Sequence, residues 1–412
     1  MKLLLWLVIL LITMNHPLIA QQLGRSANRA NNTGSTDITN KPAVKWQFKT
    51  GGKVVSSPVI NGRYLFIGAA DSCMYALDRN NGKQYWKFKT NGVVNTTVAC
   101  DSTAVFFMSE DGNFYALDMH TGKLQWTFKT KGEHATDPWD YFLSSATVHN
   151  GVVYVGSTDG HIYALNARSG KLQWKYLTGG AVHAAPTVAE NIILAGSFDG
   201  FFYALNTDGS LRWKFDTMGE RYFPIGEVQF HAVVADSCVY FCARDYNVYA
   251  LHLRTGKGLW VYHEPGSWTS VPSLAGNRLL VSTSDSHHAL AFDAPYGNLE
   301  WKSTAHMNIF GSITSTNDYG YMGSLDGKIL KMNLRTGESV SVFQTVASKQ
   351  NEARFFDPVT HELFPDLMAR YKDDYIKMYA DFLDMGSILS TPWLEDGVLF
   401  FGSTDGNVYA LQ

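Results

Sequence analysis

From residue 44 onward, apolar and polar residues alternate in short runs, the period of a half-buried β-strand. Between residues 144 and 177 this alternation predicts four strands, near Ser144–Val148, Val152–Gly156, Ile162–Asn166 and Leu172–Leu177, with turn residues between them. The pattern then recurs. The tetrad Tyr75-Ala76-Leu77-Asp78 returns as Tyr115–Asp118, Tyr163–Asn166, Tyr203–Asn206 and Tyr249–His252. It degrades to Leu290–Asp293 and Leu330–Asn333, and reappears at Tyr409–Gln412. The last residues of successive tetrads lie 40, 48, 40, 46, 41, 40 and 79 positions apart, the last step holding one repeat and an insertion. A fixed period of this size marks a repeat architecture, here with eight copies.

Other columns travel with the tetrad. An Asp precedes each one: Asp71, Asp111, Asp159, Asp199, Asp245, Asp285, Asp326 and Asp405, with Gly next in five of the eight. Asp-Gly between apolar runs is a two-residue hairpin signal. After the tetrad comes a second turn, as at Thr121-Gly122-Lys123, and then a Trp: Trp86, Trp126, Trp174, Trp213, Trp260 and Trp301, with Ser341 in that slot of the seventh unit. Recurrence in every unit favours a structural role, with Asp shaping turns and Trp packing between neighbours. Four short antiparallel strands repeated eight times predict an all-β, eight-bladed β-propeller. The chain stops on a third strand, and Lys45-Trp46-Gln47-Phe48 offers a spare fourth, so the N-terminal strand is expected to close the ring.

Composition narrows the class. The 34 Lys+Arg nearly balance the 37 Asp+Glu, unlike the basic excess of nucleic-acid binders, so no nucleic-acid partner is expected. Lys2, the apolar run Leu3–Ile12 and a small residue at Ala20 read as a signal peptide over residues 1–20, implying a periplasmic or secreted protein. Residues 21–43, rich in Asn, Ser and Thr, read as a flexible leader. Cys238 and Cys242 sit too far apart on one strand to bridge, Cys73 and Cys100 fall in separate turns, and free thiols are expected.

The run Ala116-Leu117-Asp118, Gly122-Lys123 and Trp126 resembles the tryptophan-docking motif of the pyrroloquinoline quinone (PQQ) repeat family, and units one, three, five and six keep most of it. The resemblance covers residues 44–412 apart from insertions and implies a quinoprotein-type eight-bladed propeller. That family holds both enzymes and scaffolds. Its alcohol dehydrogenases imply PQQ with calcium, a vicinal Cys-Cys pair and converging carboxylates. No two cysteines here are adjacent, and Asp137, Asp140, Glu220 and Glu227 make no such spacing. The non-catalytic BamB-like branch, part of the outer-membrane β-barrel assembly machinery, is similar in length, blade count and export.

Individual function is expected where the repeat breaks. The largest break is the insertion 348–386, where Leu367, Met368, Tyr371, Tyr375, Met378, Tyr379 and Phe382 follow helical spacing and predict one helix: docked on the ring, closing the channel as a lid, or binding a partner. Shorter insertions, His134–Tyr141 and Met218–Glu227, carry Trp139, Tyr141, Glu220, Arg221 and Tyr222. All three join a fourth strand to the next first strand, so they should share one face. His183 and Gln229 fall in channel-lining slots near that mouth. His183 is a candidate base or ligand, with a solvated histidine the plainer reading.

These residues predict a non-catalytic scaffold without a cofactor, binding a protein partner in envelope or outer-membrane protein assembly, with peripheral membrane association as a further expectation. A small PQQ-dependent dehydrogenase is the alternative, and a polysaccharide- or surface-binding module a third reading.

Overall fold

The computed structural model describes residues 22, 25–26 and 30–412. The expected signal peptide lies outside them. Eight four-stranded antiparallel sheets form the blades, seven of them running in chain order from first strand to fourth, and the first strands of neighbouring blades touch from blade two to blade seven. The third blade comprises Thr147–His149, Val152–Gly156, His161–Asn166 and Leu172–Leu177. Its first strand starts later than the alternation suggests because a side chain replaces the ladder there. Ser144 Oγ accepts from Gly156 N at 2.9 Å and donates to Ala184 O in the next blade at 3.2 Å. The second and third strands are almost wholly buried, while the fourth alternates exposed and half-buried positions. Lysines on the fourth strands, such as Lys87, Lys129 and Lys175, make these outer edges poor templates for further pairing.

Closure is as expected. Val44–Lys49 pairs antiparallel with Asn407–Leu411, placing Trp46 opposite Ala410 and Phe48 opposite Val408.

The repeat columns explain how the blades cohere. The indole N–H of Trp46, Trp86, Trp126, Trp174, Trp213, Trp260 and Trp301 donates to a carbonyl of the following blade at 2.7–3.0 Å. Each indole lies over the glycine of that blade's last turn, so closely that a Cβ at Gly170 would stand 2.5 Å from Trp126. The exception, Ser341, has a physical cause. Its indole would need the turn between the third and fourth strands of blade eight, and that turn does not exist, because the two strands come from opposite ends of the chain. In six blades the column Asp takes the hydroxyl of the Tyr four residues on at 2.5–2.7 Å, and the N–H two residues on. In several it also takes an N–H from the exit of the preceding blade, as Asp199 does from Gly179 at 2.6 Å. Between blades, aromatic packing adds to this: Phe202 stacks on Phe241 at 4.1 Å.

Two expectations are corrected. Residues 30–43 do not run free as a leader but strap the ring. Thr33 N donates to Ser315 O at 2.8 Å and Ser315 N to Asn31 O at 3.2 Å. Asp37 takes the Tyr321 hydroxyl at 2.9 Å, and Lys331 Nζ donates to Ile38 O at 2.8 Å. The first strand of blade seven is only Thr314–Ser315, so backbone groups remain for the polar strap to satisfy. The large insertion is not one helix but three, Val346–Asn351, Leu367–Arg370 and Tyr375–Leu383. Lys372 and Asp373 adopt positive φ and break the predicted helix, after which Asp374 caps the last one through Lys377 N at 3.0 Å. Among the described residues no disulfide joins any of the four cysteines.

Candidate functional site on the insertion face

The three insertions meet on one face. Trp139 of the first packs edge-on to Tyr379 of the third with ring centres 4.8 Å apart, and Tyr141 packs on Phe310 at 5.3 Å. Met378, Phe382 and Met385 bury in one cluster with Phe310 and Leu389, at the entrances to blades seven and eight, and with Leu325 in the turn between the second and third strands of blade seven. The third insertion is thus docked by its apolar side.

Beneath these rings a polar chain holds the first insertion down. Asp137 takes Trp139 N at 2.9 Å, a turn that aims the indole outward, and Thr136 N donates to Asp140 at 2.8 Å. Asp140 Oδ2 lies 2.7 Å from His183 Nδ1, and His183 Nε2 lies 2.7 Å from Thr158 Oγ1. Gln229 Nε2 donates to the other oxygen of Asp140 at 2.9 Å, and Gln229 Oε1 accepts from Arg244 at 2.9 Å. Arg244 pairs with Asp137 and lies over the rings of Trp268 and Phe198 at 4.6 and 4.9 Å. Burial opposes ionisation of Asp140, but the His183 hydrogen bond and charge, the Thr136 N–H and Arg244 outweigh it and hold its carboxyl below the usual range.

This corrects part of the expected site. His183 is not solvated: it is buried, as is Gln229, and both fasten the insertion. Tyr141 is largely covered, and its hydroxyl is pushed up by burial and then by Asp137 and Asp285. Trp139 and Tyr222 do come together, on the walls of an open pocket of about 280 Å³. Tyr222 stands at the tip of the second insertion, 68% exposed, where mutual backbone hydrogen bonds between Glu220 and Phe223 make a tight turn. Arg221 lies over the Tyr222 ring at 5.4 Å.

Four contributors escaped the sequence reading: Arg244, Tyr246, Trp268 and Asp285. Trp268 lies outside the Trp column and Tyr246 replaces the Gly that follows the column Asp, so both were visible as departures. Asp285 belongs to the degraded sixth unit, where Leu290 replaces the Tyr that ties its counterparts.

The central channel is a different space. The cavity between Ser57, Thr97, His183, Gln229 and Thr391 is about 40 Å³, and Phe142, Phe230 and Phe310 stand in its walls. That is room for water rather than for a tricyclic quinone. The larger pocket presents Asp285, and the nearby cation, Arg244, is engaged. No group of three or more His, Cys, Asp or Glu among the described residues is arranged to hold a metal ion. These residues do not fit a polycarboxylate quinone with its calcium.

Comparison with known proteins agrees with the fold. An eight-bladed propeller of PQQ-like repeats is the class defined here. A family model described as outer membrane protein assembly factor BamB matches residues 35–146, 138–263 and 226–364, and the chain belongs to this family. BamB from Moraxella catarrhalis superposes with a TM-score of 0.67 at 17% identity, over 90% of this chain and 99% of that one. The quinohemoprotein alcohol dehydrogenase ADHIIG from Pseudomonas putida HK5 gives 0.71 at 13%, over 96% and 80%. A europium-containing methanol dehydrogenase gives 0.67 at 13%, over 95% and 98%. At these identities the likeness is one of fold. No curated protein matches the chain. None of its described helices is long and apolar enough to cross a membrane.

Proposed function

We propose that the chain is a non-catalytic scaffold of the cell envelope that holds a protein partner in outer-membrane protein assembly. The observation that carries this reading is the contrast between the two spaces: the channel is filled by the protein's own side chains, while exposed and half-buried rings, Tyr222 and Trp139 foremost, stand open on the insertion face. Aromatic residues around a pocket with a polar rim are what a protein-binding hot spot needs. Family membership supports the assembly role, and the apolar N-terminal run supports export, with association at the membrane through the partner.

The test is recovery of the native outer-membrane assembly complex by the tagged protein. Trp139→Ala combined with Tyr222→Ala is expected to lower recovery at least tenfold without changing thermal stability. Unchanged recovery would remove this face from the reading. The dehydrogenase alternative predicts micromolar, calcium-dependent binding of PQQ by calorimetry, and such binding would overturn the scaffold reading outright.

A further inference from the structure

The pocket on the insertion face is not only aromatic. Asp285 stands at its edge, exposed, accepting from Ser284 Oγ at 2.7 Å and from Tyr379 Oη at 3.4 Å. No Lys, Arg or His pairs with it among the described residues, whereas its repeat counterparts are tied by a Tyr, or by Lys328 at 2.7 Å in the case of Asp326. Trp139, Tyr379, Trp268 and Tyr246 line the same pocket. Burial, followed by the Asp285 charge, raises the hydroxyls of both Tyr379 and Tyr246, and Glu220 adds to the effect at Tyr246. The pocket is therefore walled by π faces beside a carboxylate that has no ion-pair partner among the described residues.

We propose that this pocket receives a guanidinium group, presented by an arginine of the protein partner, an inference that rests on the scaffold reading above. A planar cation gains from ring faces and from a bidentate carboxylate together, and Asp285 with the surrounding indoles and phenols offers both. The same protein already builds this arrangement next door. Arg244 lies over Trp268 at 4.6 Å and Phe223 at 5.7 Å while pairing with Asp137, and Trp268 and Phe223 also line the pocket. The placement of Tyr246 points the same way. It occupies the slot where five units carry Gly and holds φ at 69°, a left-handed conformation that a residue with a side chain adopts only at a cost. A ring kept there at that cost has a use for its position, and a third aromatic wall supplies one.

The experiment is calorimetric titration of the full chain with N-acetyl-arginine amide and with the citrulline analogue, equal in shape and uncharged. Arginine is expected to bind at least tenfold more tightly than citrulline. Asp285→Asn should remove that preference while leaving thermal unfolding unchanged, and Tyr246→Gly should weaken arginine binding. Equal binding of the two probes, no arginine binding, or an unaffected Asp285→Asn protein would each overturn the proposal. Recovery of the assembly complex by Asp285→Asn separates the two readings. Full recovery by a protein that fails with arginine rejects the pocket and keeps the scaffold; arginine binding with no complex recovered rejects the scaffold and keeps the pocket.

Discussion

Asp140 and His183 meet at 2.7 Å with both side chains sealed from solvent, so the first insertion is fastened by a buried pair rather than lying loose over the channel. Removing the carboxylate would strand the imidazole and release the Gln229 amide. Asp140→Ala is expected to cost about 3–5 kcal/mol. The native carboxyl is held below its usual range, so its contribution is complete above the unfolded value of about 4 and is lost as pH falls through the lower native value. Denaturant titrations should show the gap between wild type and Asp140→Ala at neutral pH and a narrowing gap below about pH 4. A gap of constant size at low pH would mean that packing, not charge, accounts for the loss.

The tryptophan–glycine junctions can be isolated by comparing two glycines of similar backbone. Gly151 and Gly170 both have positive φ, 74° and 67°, but a Cβ at Gly151 meets nothing within 4 Å, while one at Gly170 lands 2.5 Å from Trp126. Gly151→Ala should cost about 1–2 kcal/mol for the conformation alone. Gly170→Ala should cost clearly more, since the indole must leave its site and its bond to Ala167 O. Equal losses in chemical denaturation would show that the indole is free to shift.

The strap over blades six to eight makes a local prediction. Asp37 holds both the Tyr321 hydroxyl and Thr316 Oγ1, at 2.9 and 2.8 Å. Asp37→Ala should speed hydrogen exchange at Thr33 and Ser315, whose amides bond across the strap, and leave exchange in blades two to four untouched. Unchanged protection at those two amides would place the anchor elsewhere, at Asn31 or Lys331.

These cases separate what periodicity reveals from what it hides. The ring, its closure and the structural sense of the Asp and Trp columns were legible because each is repeated, and repetition turns weak local signals into one strong one. The strap was not, since its Asn, Ser and Thr residues have the composition of a solvated segment, and only the two-residue first strand of blade seven reveals what they satisfy. At the site, the break in the pattern marked the insertions and spacing placed His183 and Gln229 in channel-lining slots, yet it left His183 read as solvated and could not show the burial of these two or the cover over Tyr141. Their burial depends on partners far away in sequence, Asp140 for the first two and Phe310 for the third. Asp285 was passed over because it belongs to the Asp column, whose recurrence in every unit reads as structural, although its own unit is a degraded one. What the decay removes is the tyrosine that occupies this carboxylate elsewhere.

Arg244 gives an asymmetric test of the network under the pocket. Its side chain is 2% exposed while that of its partner Asp137 is 30% exposed. Removing Asp137 leaves a buried guanidinium with Gln229 and the rings but without its ion-pair partner, so Asp137→Ala should cost about 3–5 kcal/mol. Arg244→Met instead leaves a carboxylate that water can reach, and keeps an apolar chain against Trp268 and Phe198. It should cost less, about 1–3 kcal/mol. The double variant should regain most of what Asp137→Ala loses, because no stranded charge remains. Urea denaturation of the three proteins decides the matter. A double variant whose losses simply add would show that the two side chains contribute independently, and that the insertion is held by Asp140 and Gln229 without them.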